Sequence, residues 1–304
     1  MPKVVIDDAP RPGTPEHRKL ITASKVPAIL GLSPWQSQYA LWHEMAGNIP
    51  PEEVTPRRQA MFDWGHSAEL AIADWDLKQN PGCKISDGEV AYTDTDLPFP
   101  HLVTLDRVMW QEDSPDNKSV REYKTANSIE ALNKWGPPHQ VDAVPAHYLA
   151  QHIFQRGVSG IHHGAIILQA MGTPDVYKVE WDEGLYQGIL ERLAAWWESL
   201  ESGTPPPLDG STATYKTLRG LHPDIEQGAI CKLTKDEAIA LLTAKTSHAK
   251  ADEDFKRLRN DLALKMGHAQ YAQVGDTVVA RRQKGRGGVN LVILDKAGEQ
   301  LNVQ

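Results

Sequence analysis

Three apolar, strand-like segments follow one another near the middle of the chain and constrain its fold more than any other feature. They are residues 89–92, 102–110 and 120–123. Turn-rich segments join them, and residues 113–117 are predicted to form the turn between the last two. Side chains two residues apart on a strand point to the same face, so Glu122 and Lys124 are predicted to project together. A hairpin partner would bring Asp106 beside them.

Two carboxylates and a lysine on neighbouring strands are suited to metal-dependent phosphodiester cleavage. Carboxylates hold hard divalent cations through oxygen, and such a cation lowers the pKa of a bound water. A lysine such as Lys124 can orient that water or stabilise the charge that develops on the phosphate. The alternative interpretation of Glu122 and Lys124 is an exposed ion pair on a solvated strand.

Helical segments flank these strands and predict a mixed α/β (α+β) fold. One long helix is predicted over residues 58–79 and another begins at Pro145. Two further strands are predicted over 164–171 and 175–181, followed by a helix over 182–200. The proline run that begins at Pro205 predicts a domain boundary. The predicted organisation is an extended lead-in (1–15), a main domain (16–204) and a C-terminal extension (205–304).

Composition excludes several classes of protein. The chain has 304 residues, a net charge of −8 and two cysteines, Cys83 and Cys231. Two distant cysteines without a Cys-x-x-Cys pair argue against a structural zinc site and against a four-cysteine iron–sulfur cluster. No apolar run is long enough to span a membrane and no signal-peptide pattern opens the sequence, so we expect a cytoplasmic protein without membrane contact. The acidic balance argues against a general nucleic-acid coat protein but permits a nuclease with a local basic groove.

A turn followed by a helix is predicted over residues 18–30, with Ser24 or Thr22 as the N-cap. Three aromatic residues follow this helix: Trp35, Tyr39 and Trp42. They could stack on nucleic-acid bases. Packing among the N-terminal helices is the favoured interpretation.

The flanking motifs occur in an order that resembles one known family. They are residues 21–24 (ITAS), residues 28–35 (AILGLSPW), Gly65 and Glu69 on the predicted long helix, Asp106 and Glu122-x-Lys124, and then Pro145, Tyr148 and Gln151. Over residues 15 to 200 the chain resembles the YqaJ-like viral recombinase nucleases, which include the lambda-type phage exonuclease and belong to the PD-(D/E)XK superfamily. The resemblance implies a restriction-endonuclease-like core, with a central mixed β-sheet flanked by helices, in the main domain.

The resemblance also implies roles for individual residues. Asp106 and Glu122 correspond to metal ligands, with the backbone carbonyl of Tyr123 as a third. Glu69 corresponds to the acid that completes the metal site from a helix. Lys124 corresponds to the residue that positions or activates the water. The ions implied are one or two Mg²⁺ or Mn²⁺.

Four further residues are assigned to the site by the same resemblance. Gln151 corresponds to the last motif, near the metal and the nucleic acid. Ser24 corresponds to a contact with a 5′ phosphate, and Arg18 could assist it; a plain N-cap is the alternative for Ser24. Tyr148 is assigned to substrate binding, or otherwise to support of the site from the core.

The family implies 5′→3′ digestion of the ends of linear double-stranded DNA in phage-type recombination. Its partners would be a single-strand annealing protein and further copies of the chain in a ring, as in a trimer. The location would be the host cytoplasm if a phage encodes the protein. Two alternatives from other classes are an endonuclease of the same fold, for restriction or repair, and a non-catalytic DNA-binding protein.

The C-terminal extension lies outside the resemblance. Residues 234–266 predict one long helix or a helical hairpin, and residues 271–280 and 289–294 predict a β-hairpin. Its basic residues are Arg281, Arg282, Lys284 and Arg286. They could hold a DNA backbone, although a solvated hairpin tip is the favoured interpretation.

Overall fold

The computed structural model describes residues 4–51, 53–138, 140, 143–285, 288–294, 297–298 and 301. The chain divides into two compact units, Met1–Ile225 and Glu226–Gln304. The elements of the first unit are β1 (Val4–Val5), α1 (Pro15–Lys19), β2 (Ile21–Thr22), α2 (Val26–Ile29), α3 (Gln38–Met45), α4 (Pro56–Gln79), β3 (Cys83–Ile85), β4 (Val90–Thr93), β5 (His101–Leu105), β6 (Arg107–Gln111), β7 (Ser114–Thr125), α5 (Ile129–Leu132), α6 (Ala146–Ser159), β8 (His163–Gln169), β9 (Asp175–Lys178), α7 (Glu183–Glu201) and α8 (Thr212–Leu221).

The strands of the first unit form two mixed sheets. One has the order β3-β6-β7-β8-β9, in which β7 and β8 are parallel and the other neighbours are antiparallel. The other has the order β1-β4-β5-β2, in which only β2 and β5 are parallel. Helix α4 packs against β7 and β8, and α6 packs against β4, β5 and β8. The predicted α/β core, a mixed sheet flanked by helices, is confirmed.

The predicted single strand over residues 102–110 is wrong. The chain forms β5 and β6 there, which belong to different sheets and are separated by Asp106. The predicted turn is also shorter than expected: it occupies Glu112 and Asp113, and β7 begins at Ser114. The longer β7 pairs with β6 along that strand, which fixes the hairpin register around the predicted site.

Helix α6 lies at the centre of the hydrophobic core of the first unit. Ile153 and Phe154 are fully buried in a cluster that includes residues of α2, β5 and α7. Gly157 allows α7 to approach closely, because a Cβ at this position would lie 2.1 Å from a ring carbon of Tyr186. This packing fixes the helix that carries Gln151.

The helix predicted within residues 18–30 is α2, and it begins later than predicted. The N-cap of α2 is Lys25, which makes no side-chain capping bond. Ser24 and Thr22 instead hydrogen-bond to each other through their hydroxyls at 3.0 Å. Both predicted N-caps are therefore wrong, because Thr22 ends β2 and Ser24 lies in the β2–α2 connection.

The predicted packing of the aromatic residues holds for two of the three. Trp42 is buried and donates from Nε1 to Ser199 Oγ at 3.1 Å. Tyr39 is half-buried with its ring centroid 4.4 Å from that of His43. Trp35 is 69% exposed, so the packing interpretation is wrong for this residue.

The first unit extends beyond the predicted boundary at residue 204. The sequence did not reveal α8, which packs against α3. Thr214 Oγ1 donates a 2.8 Å hydrogen bond to Ser37 Oγ, and both residues are buried. Residues 205–225 therefore pack with the main domain.

The second unit contains α9 (Lys235–Met266), β10 (Tyr271–Val274), β11 (Thr277–Gly285) and β12 (Gly288–Ile293). Helix α9 is a single helix with a capping box, in which Thr234 and Glu237 bond reciprocally. The predicted strand over 271–280 is itself a hairpin. Arg281, Arg282 and Lys284 lie on β11, and Arg286 lies outside the described residues. Within the described part of the chain, each helix is too short or too polar to cross a membrane.

Candidate active site

Asp106 occupies the corner between the two sheets, directly before β6. Its Oδ2 accepts a 2.7 Å hydrogen bond from the backbone N–H of Tyr123. The antiparallel register pairs Arg107 with Arg121, which places Asp106 beside the end of β7. The hairpin therefore brings Asp106 next to Glu122 and Lys124, as the strand pattern predicted.

Glu122 is the centre of a buried hydrogen-bond network. Its Oε1 accepts from Lys124 Nζ at 2.5 Å and from Gln151 Nε2 at 2.6 Å. Its Oε2 accepts from Gln155 Nε2 at 2.8 Å. Glu122 is 1% exposed. The alternative of a solvated surface ion pair is therefore wrong.

Gln155 was missed by the sequence analysis. Its Nε2 also donates to the backbone carbonyl of Thr104 at 2.9 Å, so it links Glu122 to strand β5. Gln155 lies four residues after Gln151, and side chains at this spacing share one face of a helix. That spacing was the available signal for a second amide at the site.

Three carboxylates form a separate group, here called the acidic cluster: Glu69, Glu89 and Asp106. Each offers one carboxylate oxygen, and these oxygens lie within 4.8 Å of one another. Glu89, also missed by the sequence analysis, directly precedes β4. Because Val90 pairs with Leu105, the antiparallel register places Glu89 across from Asp106.

The acidic cluster carries more negative charge than its surroundings favour. Burial raises the pKa of Asp106 well above its usual range, and Glu122 and Glu69 raise it further while Lys124 opposes them. Burial also raises the pKa of Glu69; Lys124 and His66 oppose this increase, and Glu89 and Glu122 add to it. Burial alone would lower the pKa of Lys124, but Glu122 and Asp106 outweigh it and raise this pKa, so the ammonium stays charged.

This donor set fits a divalent cation. Clustered carboxylate oxygens are the ligands that Mg²⁺ and Mn²⁺ prefer, and a bound cation would favour the ionised form of both carboxyls, whose pKa values are raised mainly by burial. Glu69 and Asp106 were predicted ligands and belong to the cluster. The predicted ligand Glu122 is not a member of this cluster, and its oxygens accept from Lys124 and the two glutamines, so its role as a ligand stays a prediction.

A second buried charged group fixes α4 against β7. Asp76, which is 0% exposed, accepts two 2.8 Å hydrogen bonds from Arg121, one from Nε and one from a terminal nitrogen. Tyr123 Oη donates to Asp76 Oδ2 at 3.2 Å, and Asn80 Nδ2 donates to Oδ1 at 3.1 Å. Every carboxylate oxygen of Asp76 therefore has at least one donor.

The Asp76–Arg121 pair positions the helix-borne acid of the site. Glu69 precedes Asp76 by seven residues, about 10 Å along α4. Lys124 follows Arg121 by three residues, also about 10 Å along β7. Because the two elements are joined at Asp76 and Arg121, Glu69 lies near Lys124, whose charge acts on it.

The remaining predicted residues are divided between two places. Tyr148 is part of the site, with its ring centroid 5.6 Å from Lys124 Nζ. Ser24 is exposed in the β2–α2 connection, and Arg18 lies in α1, where its carbonyl accepts from Lys25 Nζ at 2.6 Å. Among the described residues, no hydrogen bond or ion pair joins Ser24 or Arg18 to the acidic cluster. The assignment of the Tyr123 carbonyl as a ligand stays a prediction.

Residues 14–162 match the family described as the YqaJ-like viral recombinase domain. A curated relative, the uncharacterized protein YqaJ of Bacillus subtilis (strain 168), is 24% identical over 268 residues, which cover 86% of this chain and 79% of the relative.

Two solved structures are also similar. The alkaline exonuclease LHK-Exo from Laribacter hongkongensis is 15% identical with a TM-score of 0.45, and the match covers 62% of this chain and 91% of that one. LHK-Exo in complex with dAMP is 15% identical with a TM-score of 0.47, over 62% of this chain and 92% of that one.

Proposed function

We propose that this chain, whose residues 14–162 match the YqaJ-like viral recombinase domain, is a metal-dependent DNA exonuclease of phage-type recombination. Its substrate is the end of linear double-stranded DNA, digested in the 5′→3′ direction. Its product is a 3′ single strand for an annealing protein. The nuclease domain comprises residues 16–204 together with the packed segment 205–225.

The observation that carries this proposal is the acidic cluster beside a charged lysine. Glu69, Glu89 and Asp106 would hold one or two Mg²⁺ or Mn²⁺ ions. When bound there, the ion supplies an activated water and neutralises charge on the phosphate. A group of carboxylates next to Lys124 is suited to phosphodiester hydrolysis.

Lys124 acts on the phosphate and on the attacking water. Its ammonium is held by Glu122 at 2.5 Å, which fixes its direction. From this position its ammonium N–H would donate a hydrogen bond to a phosphate oxygen and stabilise the negative charge that develops there. Gln151 and Gln155 hold Glu122 in place through hydrogen bonds, so that Lys124 stays oriented.

The end of the strand would be held by residues outside the acidic cluster. The exposed hydroxyl of Ser24 and the guanidinium of Arg18 are proposed to bind the 5′ phosphate, as the family resemblance implies. Tyr148 would contact the adjoining nucleotide. Further copies of the chain, as in a ring-shaped trimer around DNA, would keep the enzyme on its substrate.

The test compares linear and covalently closed DNA, with Mg²⁺ and with chelator, for the parent protein and two variants. We expect Lys124→Ala to slow digestion of linear DNA by on the order of 100- to 1,000-fold. Lys118→Ala, which removes an exposed lysine from the same strand, should digest normally.

Each outcome of this test decides between functions. Loss of linear DNA alone, abolished by chelator, supports the exonuclease. Cutting of closed circles would instead identify an endonuclease of the same fold. DNA that stays intact with Mg²⁺ and with Mn²⁺ would exclude both enzymes and leave the DNA-binding alternative.

A further inference from the structure

A cleft lined by aromatic side chains opens beside the candidate active site. This aromatic cleft is formed by Trp35, Trp135, His147 and Tyr148. It encloses about 200 Å³. Pockets for drug-sized ligands measure roughly 300–1,000 Å³. The aromatic cleft is therefore large enough for one flat ring system and too small for a longer segment.

One side of the aromatic cleft is rigid. The rings of Trp135 and Tyr148 stack with centroids 5.3 Å apart and planes inclined by 28°. Trp135 also packs on Tyr177, at 4.9 Å between centroids. Tyr177 is buried and donates from its hydroxyl to the carbonyl of Gly136. The Trp135–Tyr148 surface is thus fixed before any ligand binds.

The other side is an exposed indole. Trp35 is 69% exposed and contacts the edge of the His147 ring, with centroids 5.1 Å apart at 90°. Its centroid lies 6.3 Å from that of Tyr148. Exposure of a large aromatic side chain costs favourable burial, and here it is combined with a neighbouring concave surface. An apolar, flat ligand would cover both.

The aromatic cleft is continuous with the proposed phosphate site. Tyr148 belongs to both, since its ring centroid lies 5.6 Å from Lys124 Nζ. Lys134 adds a positive charge at the cleft, and Ser128 and Glu130 add hydrogen-bonding groups to its lining. A ligand with one flat ring and an adjoining phosphate would satisfy the rings and the lysines together.

We propose that the aromatic cleft binds the unpaired terminal base of the DNA strand whose phosphate lies at Lys124. The terminal base pair of a duplex has only one open face, so a base held between Trp35 and the Trp135–Tyr148 surface must leave its pair and its stack. Trp35 would cover the exposed face of this base. The inference rests on the proposed function and adds a base-binding site next to the proposed phosphate site.

The test is a binding measurement with chelator present, so that no DNA is cut. The probe is a DNA hairpin whose single open end is forked into three unpaired nucleotides on each strand. A second probe is identical except that the six unpaired nucleotides are abasic. Trp35→Ala should weaken binding of the normal fork by on the order of 5- to 100-fold, the range expected when one stacked base is lost. Trp35→Phe should weaken it less.

Two comparisons isolate the base contact. On the abasic fork, Trp35→Ala should bind as tightly as the parent, because no base remains to stack. Tyr215→Ala removes a ring of similar exposure from α8 and should bind both forks normally. If Trp35→Ala weakens both forks equally, or neither, the base site is absent. If the parent protein binds neither fork, the proposed function is wrong as well.

Discussion

Glu69 and Asp76 are acidic residues on the same helix with opposite surroundings. Asp76 accepts hydrogen bonds from Arg121, Tyr123 and Asn80 and is fully buried. Glu69 lies near other carboxylates, and its pKa is raised mainly by burial, with smaller increases from Glu89 and Glu122. A carboxylate whose oxygens all accept hydrogen bonds stabilises the fold. Neighbouring carboxylates repel one another, so they stabilise the fold less and are suited to binding a cation. The part of α4 that carries Asp76 is therefore structural, and the part that carries Glu69 is assigned to catalysis.

The largest expected effect comes from breaking the structural end. Arg121→Met should lower the free energy of unfolding by about 3–5 kcal/mol, because Asp76 would keep a buried charge without its partner. Urea denaturation measures this loss. Arg121→Lys keeps the charge but loses the two-bond geometry, so its loss should be smaller. Equal stability of Arg121→Met and the parent would show that the pair does not join α4 to β7.

A smaller loss is expected at the network that holds Glu122. Gln155→Leu keeps the volume but removes the donor shared by Glu122 Oε2 and the Thr104 carbonyl. Two buried acceptors would lose a partner, which should cost about 1–3 kcal/mol. The matched control is Gln187→Leu, which removes an exposed amide from α7 and should change stability by less than about 0.5 kcal/mol. A Gln155→Leu protein as stable as this control would contradict the proposed support of Glu122.

A substitution in the acidic cluster should raise the free energy of unfolding, where the two preceding substitutions lower it. Without metal, Asp106→Asn should raise the free energy of unfolding by on the order of 1 kcal/mol at pH 8, because it removes a repelled charge and keeps the acceptor for Tyr123 N–H. The same variant should lose nuclease activity.

The pH dependence follows from the direction of the shift. The pKa of Asp106 is raised in the folded protein, so its contribution to stability is fully present below the unfolded pKa and is lost as pH rises through the folded pKa. The gain in Asp106→Asn should therefore shrink as pH falls toward about 4, where the parent side chain is also neutral. Thermal melts in chelator at pH 4.5 and pH 8 measure it. An equal gain in stability at both pH values would show that the pKa of Asp106 is not raised in the folded protein.

Spacing along the sequence revealed the site residues that share one face of a single strand or helix. Glu122 and Lys124 could be paired from strand alternation alone, and Gln155 was accessible from its spacing to Gln151. The break at Asp106 was hidden, because β5 and β6 are both largely buried and read as one apolar run.

Long-range pairing supplied the rest and could not be read from the chain. Glu89 reaches the acidic cluster only through the register that pairs Val90 with Leu105. Asp76 and Arg121 are 45 residues apart and each resembles an ordinary surface charge in the sequence. Site positions set by one element or by a hairpin of consecutive strands are thus predictable, whereas those set by elements distant in the sequence require the fold.

The smallest effect on stability, and the sharpest test of the acidic cluster, is expected at Glu89. Because Glu89 is exposed, Glu89→Gln should change stability without metal by less than about 0.5 kcal/mol. At a fixed, saturating Mn²⁺ concentration, the stabilisation of the protein grows with the logarithm of its affinity for the metal. Loss of a ligand lowers this affinity, so the metal-induced rise in Tm should be smaller in Glu89→Gln. Asp87→Asn makes the same change of charge two residues earlier and should keep the full rise. Equal metal responses of the two variants would remove Glu89 from the cation site and leave Glu69 and Asp106 to be completed by another ligand.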